Sequence, residues 1–211
     1  MKVFVTGGTG YVGRPVIRAL QAAGHEVLAL QRPGSRRPLD DTHIPVFSAD
    51  VLDTPRLVEG MQGCDAVVHL VGIIRERHRQ GVTMRRMHVE ATRAVLTAAQ
   101  AVNVHAIVHM SALCARPNAL SAYHRSKWEA EELVRSSEIP YTIFRPSVIF
   151  GAGGPGPNFV QQLAQLVERS PLVPIIGDGR FLLQPVSVET VADAFVRAVQ
   201  APKQRTYELG G

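Results

Sequence analysis

The sequence predicts an α/β protein, a doubly wound parallel sheet with helices on both faces and a smaller C-terminal lobe. Three observations predict it. Short apolar runs alternate with helical patterns from residue 3 to about residue 150, the signature of βαβ units whose strands are buried on both faces. Three glycines, Gly7, Gly10 and Gly13, separate the first run from the first helix. An apolar content of 45% in 211 residues is enough to fill a core.

Val3 to Thr6 is β-branched and apolar, and reads as the first strand. Tyr11 to Ala23 has Val12, Val16 and Leu20 on one helical face, with Gly24 as its stop. His25 to Leu30, Val46 to Ser48, Ala66 to Leu70, Ala106 to Met110 and Thr142 to Phe144 are the further strand candidates. Helical patterns cover Pro55 to Met61, Val89 to Val102 and Ser121 to Ser136; the narrow stripe Ala91, Val95, Ala98, Ala99 suits close packing on a sheet. At Gly151 the texture changes to the breaker run GAGGPGP, then a helix from Phe159 to Glu168, a Pro-rich loop and a last helix from Glu189 to Val199. The expected division is therefore a nucleotide-binding domain over residues 1–150 and a smaller lobe over 151–211. Gly151 to Pro157 reads equally as a hinge or an inert linker.

The net charge of +5 comes from dispersed residues, with one dense cluster at Arg75 to Arg79 that no aromatic residue interleaves. Nucleic acid is therefore not expected as a partner. No run approaches eighteen apolar residues, so no integral membrane segment is expected. The strand pattern follows Met1 and Lys2 directly and leaves no stretch for a secretion signal; the cytoplasm is the expected compartment. Cys64 and Cys114 read as reduced core residues, and the eight histidines show no metal-ligand spacing, so no metal is expected.

A strand, glycines at 7, 10 and 13, then a helix is the turn that binds a dinucleotide. The first glycine permits the bend, the second admits the diphosphate, the third lets the helix pack, and the helix N-terminus faces the anion. A P-loop would need Gly-Lys-Ser/Thr, and the chain has Gly13-Arg14-Pro15. An acid at the end of the second strand would take the ribose hydroxyls of NAD. Gln31 and Arg32 stand there instead, with Arg36 and Arg37 beyond and Arg14 beside the turn. Guanidinium groups favour a 2′-phosphate, so NADP is expected over NAD. Tyr11, next to Gly10, is expected to cover the cofactor.

TGGTGYVG, Asp50-Val51, HLVG at 69–72, YHRSK at 123–127 and FRPSVIFG at 144–151 occur in that order. As a set they resemble the extended and atypical short-chain dehydrogenase/reductases, the NAD-dependent epimerase/dehydratase-like proteins, over essentially the whole chain. Within them the chain is most similar to the branch that holds the nucleotide-binding accessory subunit of respiratory complex I and its bacterial relatives. Such proteins commonly continue some tens of residues past YELGG, which implies a shortened chain here. The resemblance also implies association with a respiratory complex, or a homo-oligomer. Position by position it implies a diphosphate loop at Gly7, Gly10 and Gly13, an adenine contact at Asp50 and Val51, and Gly72 under the cofactor ribose. It further implies a catalytic Tyr123–Lys127 pair, and Pro146 to Val148 beside the nicotinamide.

Tyr123 and Lys127 are four apart and so share a helix face. A lysine ammonium near the phenol is expected to lower its pKa and make it an acid/base, while also holding the ribose hydroxyls. Two departures stand out. The family's strand before the tyrosine ends in two hydroxyl residues; here Ser111 is followed by Ala112. Ser111 either substitutes as the oxyanion donor or satisfies local backbone. His88 replaces an asparagine and reads as a satisfied structural histidine. Arg145 pairs with an acid or faces the ligand, and Trp128 is buried against a helix or an interface. Two functions follow: an NADP-dependent oxidoreductase, epimerase or dehydratase acting on an alcohol or ketone carbon of a small molecule, or a non-catalytic NADP(H)-binding structural or redox-sensing protein. A sugar nucleotide, a flavonoid-like ketone and a quinone-like compound all remain open as substrate.

Overall fold

The computed structural model describes residues 1–35, 38–39, 43–155, 159–169, 178, 180 and 182–211. The expected Pro-rich loop at 170–177 lies outside the described residues, as do Arg36 and Arg37. In chain order the elements are β1 (Lys2–Thr6), α1 (Gly13–Ala22), β2 (Glu26–Gln31), β3 (Val46–Ser48), α2 (Thr54–Met61) and β4 (Ala66–His69). A 3-10 turn (His78–Gln80) and a π-helical turn (Arg85–Glu90) precede α3 (Ala91–Ala101). Then come β5 (Ala106–Met110), α4 (Ala122–Arg135), β6 (Tyr141–Pro146), β7 (Ile149–Phe150), α5 (Phe159–Arg169), β8 (Val186–Ser187), α6 (Val188–Gln200) and β9 (Arg205–Leu209).

The main sheet has the order β3-β2-β1-β4-β5-β6-β9, and every neighbouring pair is parallel. The chain winds outward from β1 to β3, then returns across β1 to β4. That reversal opens a crevice at the carboxyl ends of β1 and β4, where ligands bind in such sheets. Two cores follow from the period of two along each strand. Val3, Val5, Val68 and Val108 face α1 and α6, while Phe4, Val67, Ile107 and Ile143 face α2, α3 and α4.

The last part of the chain packs on the main sheet. β9 extends the main sheet beside β6, and Val188, Val191, Phe195 and Val199 of α6 are fully buried against α1 and the strands. RTYEL is too short and polar to announce a sheet strand. Cys114 also differs from expectation: it is exposed, at φ +68, whereas Cys64 is buried. Ser121 caps α4 through its side chain, and Asp53 and Ser187 cap α2 and α6 likewise.

α4 is tied to the sheet by one carboxylate. Glu131 is fully buried and accepts from Arg145 Nε and Nη2 on β6 (both 2.8 Å), from Arg135 Nη2 and from Ser111 Oγ. Burial pushes its pKa up, but the bonds from Arg145 and Ser111 and the charge of Arg145 outweigh it and hold the carboxyl below its ordinary value. Arg145 thus pairs with a helix acid, and reaches Glu208 on β9 as well at 3.7 Å. Trp128, half-buried, lies under the guanidinium groups of Arg135 and Arg145, 4.9 and 5.6 Å from its ring centre.

Removing this carboxylate strands a buried guanidinium. Glu131→Ala is expected to lower folding stability by about 3–5 kcal/mol, and Glu131→Gln by less, because the amide still accepts hydrogen bonds. Urea denaturation of the three proteins measures it.

Candidate active site

The glycine turn is built as its spacing implies. Gly7 has φ +76, and a Cβ there would lie 2.8 Å from the Leu70 carbonyl carbon, so only glycine lets β1 end against β4. Gly10 N–H donates to Gly7 O at 3.0 Å. A Cβ at Gly13 would lie 2.3 Å from Gly7 O, so α1 starts in contact with the turn. No side chain caps α1 at Val12. The positive end of the helix dipole therefore stands at the glycine turn without a side-chain cap, a fit for a diphosphate.

Beside the turn lies a pocket of about 240 Å³, lined among others by Gly7, Thr9, Arg32, Asp50 and Val51. Asp50 Oδ1 accepts from Leu52 N–H at 3.0 Å, which fixes the loop after β3. The size, the apolar floor from Leu30 and Val71 and the polar rim fit the adenosine end of a dinucleotide. Gln80 to Val82 and Arg86 also line the pocket. Arg14 and Tyr11 do not line it. Arg14 Nη2 donates to Pro38 O at 2.6 Å. The Tyr11 hydroxyl donates to Gly151 O at 2.9 Å, and Gly154 N–H donates to Tyr11 O at 2.7 Å, so this tyrosine ties the turn to the segment after β7. A wider groove between α3 and α4, about 440 Å³, shares no lining residue with this pocket.

Lys127 is 2% exposed, and its Nζ donates to Met110 O at 2.9 Å. A Cβ on Gly72 would sit 3.0 Å from that Nζ. The missing side chain at 72 is what lets the ammonium reach the floor of the cleft. Burial lowers the Lys127 pKa to about 8, against the opposing charge of Glu131. Tyr123, one turn earlier on α4, meets the His88 ring edge-on at 5.5 Å. The expectation that Lys127 lowers the phenol is not met: burial pushes Tyr123 up. Its hydroxyl makes no hydrogen bond among the described residues. Ser111 does not stand ready as an oxyanion donor, because its hydroxyl is committed to Glu131; Ala112 beside it is buried. Pro146 ends β6 and accepts from Leu113 N–H at 3.0 Å, and Val148 O accepts from Val186 N–H, so both stand at the same end of the sheet as Lys127.

His88 is a satisfied histidine. Nδ1 lies 2.7 Å from Ser126 Oγ, and Nε2 lies 3.0 Å from Ile73 N. Nε2 also lies 3.1 Å from Ile73 O, so the ring meets a partner on both sides. The imidazole thereby clamps the turn after Gly72 onto α4. Below it, His69 bonds Thr6 Oγ1 at 2.6 Å and Thr92 Oγ1 at 3.0 Å and stacks on His109 at 5.3 Å. His109 is buried with both ring nitrogens unpartnered. Burial and the Lys127 charge lower His69 and His88 to about 3, and push His109 down as well, through burial, His69 and Lys127. Among the described residues no group of His, Cys, Asp and Glu could hold a metal ion, and no helix is long and apolar enough to cross a membrane.

The glycine turn, the crevice at the carboxyl ends of the strands and the Tyr123–Lys127 face of α4 together fit a dinucleotide-binding α/β protein. The model of the NAD dependent epimerase/dehydratase family matches residues 3–210, and the chain belongs to that family. It is 32% identical over 209 residues to a ceramide reductase of Caulobacter vibrioides, covering 98% of this chain and 63% of that protein. It is 27% identical over 216 residues to an Arabidopsis thaliana mitochondrial protein, NADH dehydrogenase [ubiquinone] 1 alpha subcomplex subunit 9, covering 98% of this chain and 53% of that one. The chain thus spans less than two thirds of the length of these relatives. Its fold matches a Stenotrophomonas maltophila UDP-glucose-4-epimerase solved with bound NAD, with TM-score 0.84, 24% identity, and coverage of 100% of this chain and 78% of that one.

The buried histidines set an acid limit. A histidine held neutral down to about 3 in the fold but titrating near 6.5 when unfolded lets the unfolded chain bind more protons between those values. Stability should therefore rise with pH from about 3 to 6.5 and level off above. Urea midpoints between pH 4 and 7.5 measure the slope. His109→Leu removes an unsatisfied buried group, and is expected to raise stability at neutral pH by about 1 kcal/mol and to flatten the slope.

Proposed function

We propose that the chain is the cofactor-binding and catalytic part of an NADP(H)-dependent reductase acting on a ketone or alcohol carbon. The observation that carries this is the approach of Lys127 Nζ to Gly72, with Tyr123 one turn away on the same face of α4, beside the uncapped glycine turn. NADP rather than NAD rests on Arg32 in the adenosine pocket, where an acid would favour NAD. Gly7, Gly10 and Gly13 take the diphosphate, Asp50 and Val51 the adenine, and Gly72 passes under the ribose. Pro146 and Val148 border the nicotinamide. The dinucleotide, when bound, supplies the hydride.

Tyr123 delivers the proton. Burial keeps the phenol protonated at neutral pH, so the residue suits the reducing direction, in which a carbonyl oxygen takes up a proton as its carbon takes up hydride. Lys127 holds the ribose hydroxyls and offsets the charge left on the phenolate. His88 keeps the floor of the cleft in place. The described residues 151–155 and 182–187 are proposed as part of the substrate wall. Ile74 and Leu120, 72% and 96% exposed on the loops after β4 and β5, suit a hydrophobic substrate, in keeping with the ceramide reductase relative.

A second reading is favoured by one observation. With Ser111 engaged by Glu131 and Ala112 lacking a hydroxyl, no residue of that loop offers the usual donor to the substrate oxygen. This suits a protein that holds NADP(H) as a structural or redox-sensing element, within a respiratory assembly as for the plant relative. Turnover decides between the two. With NADPH and a panel of hydrophobic ketones, Tyr123→Phe should abolish the rate and leave cofactor binding within about twofold. No turnover by wild type or by Ala112→Ser, with tight cofactor binding, would favour the second reading.

The Lys127 pKa gives the reductase a pH signature. The required ammonium is lost as pH rises through about 8, so kcat/KM should fall on the alkaline side with a midpoint near that value. Initial rates between pH 6 and 10 measure it.

A further inference from the structure

Arg32 and Arg86 both line the pocket read here as the adenosine site. Arg32 follows β2; Arg86 comes from the π-helical turn, 54 positions later. Neither side chain forms an ion pair among the described residues. By contrast Arg145 and Arg135 pair with Glu131, and Arg85 with Glu90 and Glu129. Against the two cations the pocket lining offers one carboxylate, Asp50, which already accepts from Leu52 N–H. Two arginines against one carboxylate leave the lining net positive, which suits an anion with several acceptor oxygens.

Arg86 is held where it can do this. Arg77 and Val82 exchange backbone hydrogen bonds at 2.8 and 3.2 Å, closing a hairpin whose tip is Gly81 at φ +65. Arg86 Nη1 donates to Gly81 O at 3.1 Å, and a Cβ on residue 81 would lie 2.7 Å from that nitrogen. One of the five guanidinium donors is thereby used to lash the arginine across the hairpin tip, beside the pocket.

We infer that Arg86 is a specificity-determining residue that closes, with Arg32, on the 2′-phosphate of the cofactor's adenosine. The inference rests on the reading of this pocket as the adenosine end of an NADP site. Arg32 grips the phosphate from the β2 side and Arg86 from the hairpin side, so neither alone gives full discrimination against a 2′-hydroxyl.

Calorimetric titration with adenosine 2′,5′-bisphosphate and with adenosine 5′-monophosphate tests it on the chain as it stands, without turnover. The wild type should prefer the bisphosphate. Arg86→Ala and Arg32→Ala should each reduce that preference about tenfold, while monophosphate affinity changes less than about twofold. Arg86→Lys, which keeps the charge but not the fork, should fall between. A merely structural role, loosening the hairpin, would weaken both ligands alike and leave their ratio unchanged, which would overturn the inference. If Arg86→Ala keeps the wild-type ratio while Arg32→Ala loses it, Arg86 is no part of the clamp and the NADP reading survives. If the wild type binds both ligands equally, the NADP reading falls, and the inference with it.

Discussion

The position of the candidate catalytic residues depends on one buried carboxylate. Tyr123, Lys127 and Glu131 follow one another at intervals of four along α4, so they lie on one face of the helix. Glu131 is anchored from three directions: β6 through Arg145, the end of β5 through Ser111, and its own helix through Arg135. Burying a carboxylate costs several kcal/mol unless its lone pairs are met. Here four donors meet them, and the helix has no freedom to turn about its axis. The height of Lys127 against Met110 O is set by that anchorage, one turn away.

The ammonium in turn organises what lies beneath it. His69, His88 and His109 form a buried layer between the sheet and the helices α3 and α4, and each is kept neutral by burial together with the positive charge above. Neutral imidazoles can serve as fixed struts where charged ones would repel the lysine. His88 does so through Ser126 and Ile73. His109 has no bonding role that the structure reveals, and its stacking on His69 is its main polar-ring contact.

Much of this was legible in the sequence because it depends on local patterns. The strands β1 to β6, the glycine turn and the helix carrying Tyr123 and Lys127 are each written in a run of neighbouring residues, and their limits agree to within a few positions. What was not legible depends on long-range partners. Ser111 meets Glu131 20 positions on, and the residue type alone left its role open. Arg86 has no motif, and joins Arg32 only because β2 and the π-helical turn converge on one pocket. β9 is amphipathic by turns and short, and only the free edge of β6 recruits it into the sheet. Tyr11 was drawn toward the cofactor by its neighbour Gly10, yet its hydroxyl is claimed by Gly151 from the far end of the domain.

The π-helical turn Arg85–Glu90 holds one residue more than an α-helical path would need. That surplus residue acts as a phase shifter. Downstream, α3 keeps its small-residue stripe against the sheet; within the turn, Arg86 lines the pocket beside the glycine turn while His88, two residues on, meets Ile73 and Ser126. Deleting a residue from the turn would rewind it to ordinary pitch and swing everything before it by about 100° relative to α3. Both ends of the dinucleotide cleft would lose their alignment in one step. The spacing between Arg86, His88 and Ala91 is thus as much a part of this protein's design as the residues themselves, and a chain with the same side chains one position closer would be a different machine.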